Sequence, residues 1–336
     1  MLTDTRPLID SAFCAYRVGA DVPRYVPQCT SDKLLERQLW VVMRSRTAEI
    51  DRTVTRKIAG VCSKAVDNAR KDPSEARQLV SHAEVIEASH PLLYEARLLA
   101  GSFIFAAKGY IEYVCSRFDA AESCMQLCLA NEAILDNNFG YGCLHLRRIH
   151  LAENIAKVYI RAGRLADGVN LAGNLLAYLN GQEETIAIGG PWSLERLVEQ
   201  ENELVLEKCA SIAALIAEAI AGVDKEKARF LFDVTNNFGA RNLTQCRFVR
   251  IGAWFKLTEA YLYNDLRTFL EVTEDFLRQG RLMTSPLWYS ALANLLQCVS
   301  EGIPDEFSAE IAAKAEYWAD VPKVFRPALG RSNLKG

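Results

Sequence analysis

Apolar residues recur at intervals of three and four along nearly the whole chain of 336 residues, and alternating runs of β-branched residues are missing. This spacing places apolar side chains on one face of an α-helix, whereas a half-buried strand needs a period of two. Clusters of Gly, Pro and Asn-Asn interrupt the pattern at short intervals, which indicates loops between helices. The sequence therefore predicts an all-α protein.

Twelve helices are predicted between Lys33 and Ala319, and the first and longest runs from Lys33 to Arg70. It ends at Asp72-Pro73 because proline lacks a backbone donor and the residue before it avoids the α region. Since the loops are short, consecutive helices are expected to pack antiparallel. The expected fold is about six antiparallel helical hairpins stacked as an α-solenoid.

A longer joint, residues 181–191, contains Gly189-Gly190-Pro191 and is the predicted bend between two halves. We expect residues 1–32 to form an N-terminal extension and residues 33–180 to form hairpins one to three. Hairpins four to six are expected over residues 192–320, and a C-terminal tail over residues 321–336.

Charge and hydropathy bear on the classes of partner. The chain has 39 Lys and Arg against 42 Asp and Glu, a net charge of −3, which favours neither nucleic acid nor an anionic membrane. Apolar stretches fall well short of the about 20 residues of a transmembrane helix, and the start lacks the apolar core of a signal peptide. The ten cysteines include no C-x-x-C pair. We therefore expect a cytoplasmic protein with no membrane partner, no metal and no cofactor.

Two Asn-Asn-Phe-Gly tetrapeptides lie 99 residues apart, which is a sign of internal repetition. A basic, apolar helix follows each of them. The first of these helices holds Arg147-Arg148, and the second holds Arg247 and Arg250. Self-similarity of this kind is typical of stacked helical units.

One segment of the chain resembles the tetratricopeptide repeat family, and it reads Ile155-Ala156-x-x-Tyr159-x-x-x-Gly163-Arg164-Leu165-x-x-Gly168, continuing to Ala172 and Leu175. Weaker matches lie around Tyr113 and Tyr261, so the likeness covers residues 92–279. The resemblance implies that Ala156 and Gly168 let two helices approach closely, that Tyr159 fills the groove between them and that Gly163 makes the turn. The repeat length of about 45 to 50 residues departs from the 34 of that family.

In that family the first helix of each pair lines a concave binding surface, and this implies a set of partner-binding residues. Around Tyr159 the set is His150, Glu153, Asn154, Lys157 and Arg161, and around Tyr261 it is Lys256, Glu259 and Tyr263. The cations Lys157, Arg161 and Lys256 would bind a carboxylate-bearing segment, and Asn154 would donate to its backbone. The alternative that stays open is a solvated helix face without a partner.

A candidate basic patch lies on the first predicted helix, where four arginines fall within about a third of the circumference. They are Arg37, Arg44, Arg52 and Arg56. Such a patch would contact phosphate or an acidic partner. A solvated face is favoured over nucleic-acid binding because no aromatic residues for base stacking are interleaved.

The function predicted from the sequence is a protein- or peptide-binding helical-repeat scaffold, with no catalytic residue assigned. One alternative is an all-helical, magnesium-dependent enzyme, because Asn264-Asp265 with Glu271 looks like the metal-binding motif of class I terpene cyclases. That motif places its glutamate one residue further on, where this chain has Val272. The other alternative is a nucleic-acid adaptor that uses the basic first helix.

Overall fold

The computed structural model describes residues 5–22, 31–236, 242–298 and 305–330. Over these residues it contains fifteen α-helices and no strand, and it is 79% helical. The prediction of an all-α protein is confirmed. Most of the second Asn-Asn-Phe-Gly tetrapeptide and the last six residues of the predicted tail lie outside the described residues.

The helices follow one another in short steps along the chain. In order they are α1 (Arg6–Ala20), α2 (Ser31–Arg46), α3 (Glu49–Asn68), α4 (Pro73–Ala88), α5 (Tyr94–Val114), α6 (Phe118–Phe139), α7 (Leu144–Arg161), α8 (Leu165–Leu179), α9 (Leu194–Val198), α10 (Asn202–Ala221), α11 (Lys225–Asn236), α12 (Val249–Leu262), α13 (Leu266–Arg278), α14 (Ser285–Cys298) and α15 (Asp305–Tyr317). Single 3₁₀ turns lie at Leu243–Gln245, Leu282–Thr284 and Lys323–Phe325.

The chain divides into two compact units. The central unit is Gln28–Lys208, and the terminal unit joins Met1–Pro27 to Cys209–Gly336. This division differs from the predicted one, because it falls within α10 and residues 181–191 lie inside the central unit. The predicted N-terminal extension also contains a helix, α1, which packs against α13 within the terminal unit.

Glycine allows the close approach of α1 to α13. A Cβ atom at Gly19 would lie 1.8 Å from the carbonyl oxygen of Leu277, so no larger residue fits there. Gly280, just after α13, has a φ of +77°, and a Cβ atom there would lie 2.5 Å from Cβ of Val22. Only glycine adopts that left-handed conformation freely. The two glycines therefore allow α1 to pack closely against the end of α13.

In the central unit, helices α3 to α7 each pack against the next helix in the chain, and α3 also packs against α5. Ile58, Leu99 and Leu135 are among the fully buried side chains of this core. The contact implied by the family resemblance is present, because a Cβ atom at Gly168 would lie 2.9 Å from the carbonyl oxygen of Ala156. Gly163 has a φ of +82° in the turn between α7 and α8. Helix packing over this segment thus matches the expectation.

The single first helix predicted over Lys33–Arg70 is wrong. The structure has two helices there, with Ala48 in an extended conformation between them. Arg52, from the first turn of α3, donates to the carbonyl oxygen of Thr47 and so binds the end of α2. Neither glycine nor proline marks the break. Its sequence signal is the pair of acidic residues, Glu49 and Asp51, which favour a helix N-terminus.

A buried arginine ties residues 188–193 to the core of the central unit. Arg148 on α7 is fully buried and donates to Asp136 on α6 at 2.9 Å. Its other terminal nitrogen donates to the carbonyl oxygens of Gly189 and Pro191 at 2.9 and 2.6 Å. The guanidinium also lies 4.1 Å from the ring centroid of Trp192. The segment predicted as a bend between two halves is therefore hydrogen-bonded to α7 and, through Arg148, to α6.

The carboxylate of Asp136 has a second buried partner besides Arg148. His145 lies between Asp136 and Tyr178, with Nδ1 at 3.1 Å from the carboxylate and Nε2 at 2.8 Å from the hydroxyl. Burial alone would raise the pKa of Asp136, but the hydrogen bonds from His145 and Arg148 outweigh it and lower that pKa. The Tyr178 hydroxyl donates to the carbonyl oxygen of Ser193 at 2.8 Å. This network fixes the start of α9, which borders the site described next.

Candidate binding pocket

The predicted partner-binding residues on α7 are called the polar stripe, and they are His150, Glu153, Asn154, Lys157 and Arg161. A small pocket lies at the N-terminal end of this stripe. Cys143, Leu146, Arg147 and His150 line one side of it, at the spacing of three and four that places side chains on one helix face. The volume of the pocket is about 40 Å³. We call it the Lys208 pocket, after the cation that lines its far side.

Two further segments complete the Lys208 pocket. Helix α2 contributes Leu35 and Gln38, and the segment through the first turns of α10 contributes Gln200, Leu204 and Lys208. Each set again follows helical spacing, so three helical faces meet around one space. All nine lining residues belong to the central unit.

The pocket borders a wider groove of about 490 Å³ and shares Gln38, Cys143 and Gln200 with it. The groove is also lined by Arg37 and Val41 of α2, by Gly140 and Gly142 of the α6–α7 turn, and by Arg196 and Glu199. Val41 is 63% exposed beside this groove. We call this space the α2 groove.

Hydrogen bonds hold the walls of the α2 groove. Glu95 of α5 accepts from Arg46 at the end of α2 at 2.9 Å and from the Tyr141 hydroxyl at 2.6 Å. The side chain of Gln200 donates to the carbonyl oxygen of Gly142 at 3.3 Å. The α6–α7 turn itself forms because Gly140 takes a left-handed φ of +72° at the end of α6. The groove is thus largely preformed.

Lys208 carries an uncompensated charge. Its side chain is only 8% exposed, and it has no hydrogen bond or ion pair with any described residue. The other strong cation of the pocket, Arg147, pairs with the fully buried Glu132 at 3.1 Å. No carboxylate is among the described residues that line the pocket. An ammonium group removed from water without a counter-charge is costly, so the pocket favours an anion.

The predicted stripe on α7 is held by a carboxylate at its centre. Glu153 is fully buried and binds His150 at 3.3 Å and Lys157 at 2.5 Å. Burial alone would raise the pKa of Glu153, but the His150 hydrogen bond and the Lys157 charge outweigh it and bring that pKa well below its usual range. Asn154 contacts His150 at 3.2 Å. Glu153 therefore orients its neighbours and offers no surface of its own to a partner.

The remaining predicted partner-binding residues lie in both units. Arg161 stacks on Tyr113 of α5, with 5.0 Å between the guanidinium carbon and the ring centroid. Lys256 is exposed on α12 and Glu259 is partly buried there, and the exposed Tyr263 directly follows that helix, all within the terminal unit. The Tyr263 hydroxyl donates to Asp233 at 2.5 Å. Binding of a partner by the residues around Tyr159 or by those around Tyr261 stays a prediction.

The four arginines of the predicted basic patch do not share one helix, because the break at Ala48 separates them. Arg37 and Arg44 are exposed on α2, and Arg37 lines the α2 groove. Arg52 is used to bind the end of α2, and Arg56 stacks on Trp40 with 5.0 Å to the ring centroid. The prediction of one basic helix face is therefore wrong.

The segment that looks like a magnesium-binding motif, Asn264 to Glu271, contains the N-cap of helix α13. Asp265 accepts a hydrogen bond from the backbone of Thr268 at 3.2 Å and so caps α13. Asn264 accepts from Lys225 at 2.7 Å, and Glu271 pairs with Arg267 at 3.3 Å. Over the described ranges no group of three or more His, Cys, Asp or Glu side chains is placed to hold a metal ion.

The sequence analysis assigns no site residue to the α10 side of the Lys208 pocket, where Gln200, Leu204 and Lys208 lie. A signal was present on α7. Extending the stripe from His150 back by one and two turns reaches Arg147 and then Cys143. Burial raises the pKa of the Cys143 thiol to about 12, so this residue contributes to packing in the pocket wall.

Comparison with known proteins identifies no relative of this chain. No protein-family model matches the chain, and neither a curated protein nor a solved structure does. None of the described helices combines the length and apolar character that crossing a membrane requires. Function is therefore argued from the chemistry of the Lys208 pocket and the α2 groove.

Proposed function

We propose that this protein is a helical-repeat scaffold that binds a segment of a partner polypeptide in the α2 groove. The observation that carries the proposal is the Lys208 pocket, where a buried, unpaired cation borders a groove with an exposed apolar side chain. Binding sites typically combine apolar walls with a few polar groups that fix orientation. The Lys208 pocket supplies the anchor, and the groove supplies the contact area.

The polar groups of the groove suit a peptide backbone. Gln38 and Gln200 line both the pocket and the groove, and a primary amide both donates and accepts hydrogen bonds. His150 belongs both to the pocket and to the predicted stripe, so Asn154 and Lys157 lie one and two turns further along the same helix face. A bound segment that leaves the pocket along α7 would meet these side chains in turn.

The finer architecture is part of the same proposal. The serial packing of α3 to α8 supports antiparallel hairpins of the tetratricopeptide kind, in which the first helix of each pair faces the partner. The close contact of Ala156 with Gly168 supports it at the α7–α8 pair. The use of helical repeats for binding is an analogy at the level of the fold, so the site carries the argument.

Selection from a displayed library of random dodecapeptides tests the proposal. Peptides selected on the parent protein are measured against Val41→Arg, which places a long charged side chain over the groove. The matched control is Val85→Arg on α4, since Val85 is 61% exposed and Val41 is 63% exposed. We expect Val41→Arg to weaken binding at least tenfold and Val85→Arg to leave it unchanged. Equal binding by both variants would contradict the proposed groove.

A second variant tests the stripe on α7. Asn154→Ala combined with Lys157→Ala removes two polar side chains that flank the buried Glu153. Because hydrogen bonds with a charged partner are worth about 1.5–3 kcal/mol, the selected peptides should bind about tenfold more weakly or worse. Circular dichroism should show an unchanged helix content. If the double variant binds as well as the parent, the stripe is not part of the site.

A further inference from the structure

We infer that the Lys208 pocket is a subsite for one acidic side chain of the bound peptide, a glutamate whose carboxylate pairs with the Lys208 ammonium. This inference rests on the proposed peptide binding and names the chemistry that the partner must carry. It depends on three properties of the pocket, which are its net charge, its size and its apolar walls.

The net charge fits a single negative charge. Arg147 is balanced by Glu132 at 3.1 Å, and His150 faces Glu153 at 3.3 Å. Lys208 is the lining cation without a counter-charge among the described residues. Glu199, the one carboxylate among the residues that line the groove, pairs with Arg196 at 3.0 Å. One carboxylate therefore neutralises the pocket, whereas a phosphate dianion would leave a charge unpaired.

The size fits a carboxylate. A volume of about 40 Å³ admits roughly three water-sized groups at about 10–15 Å³ each. A carboxylate has three heavy atoms. The pocket is therefore large enough for the carboxylate end of an acidic side chain.

The walls select the part of the side chain behind the carboxylate. Leu35, Leu146 and Leu204 line the pocket together with Lys208. Two methylene groups of a glutamate would pack against these leucines, and each buried methylene contributes favourably to binding. At the border with the groove, Gln38 and Gln200 are placed to hydrogen-bond the backbone of the same residue. Butyrate reproduces the side chain of glutamate together with its α-carbon, and it is the simplest probe.

The direct test titrates butyrate and its neutral isostere butyramide into the full chain with ¹³C-labelled leucine methyl groups. We expect butyrate to shift the Leu146 and Leu204 methyl signals saturably, and butyramide to shift them at least tenfold more weakly. Lys208→Met should abolish the butyrate shift, and Lys208→Arg should retain it. Lys108→Met is the matched control, because Lys108 pairs with Glu84 on a different part of the same unit.

Equal shifts with butyrate and butyramide would overturn the inference, as would a full butyrate response in Lys208→Met. If Lys208→Met loses its helical circular dichroism signal, the Lys208 charge is needed for folding, and Lys208→Arg becomes the deciding variant. In that case a failure of Lys208→Arg to bind butyrate while folded would also overturn the inference.

Peptide arms separate the glutamate side chain from a terminal carboxylate. Selected peptides are compared as an internal-Glu form with an amidated terminus and as a Gln form with a free terminus. We expect only the first to bind with full affinity, with the Gln form at least tenfold weaker. If both bind equally and still require the groove, the subsite inference fails while the proposed function stands. If neither binds, the proposed function fails as well.

Discussion

Arg148→Met removes the guanidinium that fastens residues 188–193 while keeping an unbranched side chain of similar length. It breaks the 2.9 Å bond to Asp136 and leaves the carbonyl oxygens of Gly189 and Pro191 without their donor. Removing one partner of a buried ion pair costs about 3–5 kcal/mol, because the remaining charge stays buried. We expect the free energy of unfolding to fall by that amount.

Urea denaturation followed by circular dichroism measures this loss, and limited proteolysis between residues 181 and 193 reports release of the segment. The matched control is Arg164→Met, since Arg164 pairs with Glu122 and Asp167 through a side chain that is 45% exposed. An exposed pair contributes at most about 1 kcal/mol. Asp136→Asn added to Arg148→Met should recover part of the loss. If Arg148→Met lowers the free energy of unfolding by less than about 1 kcal/mol, the proposed role of Arg148 in holding residues 188–193 is refuted.

Three further predictions concern packing, pH and thiol reactivity. Gly168→Leu should destabilise by about 1–3 kcal/mol through overpacking, whereas Gly60→Ala, at a helix site where a Cβ atom meets nothing within 4 Å, should stabilise by about 0.4–1 kcal/mol in thermal melts. The pKa of Glu153 is lowered in the fold, so its contribution is present above the unfolded value of about 4.3 and is lost as the pH falls below it; Glu153→Gln should flatten this acid dependence in urea titrations. Burial raises the pKa of Cys143 to about 12, so iodoacetamide at pH 8 should label the exposed Cys14 before Cys143, and faster labelling of Cys143 in peptide mass spectra would contradict that burial.

Helical periodicity was sufficient to predict the fold class, because it is a local property of the sequence. The turn at Gly163 and the contact of Gly168 were also accessible, since glycine at such positions has a direct steric meaning. The break at Ala48 was not, because the bond from Arg52 to the end of the preceding helix has no signature in the apolar pattern. A break without glycine or proline leaves only a weak local signal.

The Lys208 pocket shows the same limit. Its α7 side lies on a stripe that the sequence displays, whereas Lys208 is brought to it from α10 by packing alone. From the sequence alone, a single lysine in an apolar helix is expected to be exposed. Its burial becomes apparent only when the positions of the neighbouring helices are known. Likewise, the Gly-Gly-Pro segment was interpreted as a joint, because the hydrogen bonds from Arg148 to its carbonyl oxygens have no counterpart in the local sequence.

The arginines behind the two tetrapeptides acquire a common role. Arg148 donates to loop carbonyl oxygens and stacks on Trp192, and Arg250 donates to the carbonyl oxygens of Phe276 and Gly280 and stacks on Phe276 at 4.2 Å. In each unit a helix thus uses an arginine to bind a segment that follows a later helix. The internal repetition itself stays a prediction from the sequence.

Hydrogen exchange with and without a selected peptide tests the central claim most directly, because it locates the bound segment on the chain without a substitution. Peptide binding should slow exchange in residues 35–42 of α2, 143–150 at the start of α7 and 200–208 leading into α10, the segments that line the pocket and groove. Residues 256–262 of α12 serve as the internal reference, and their exchange rates should not change. Protection confined to α12, or no protection in α2 and α10, would contradict the assignment of the α2 groove as the binding site.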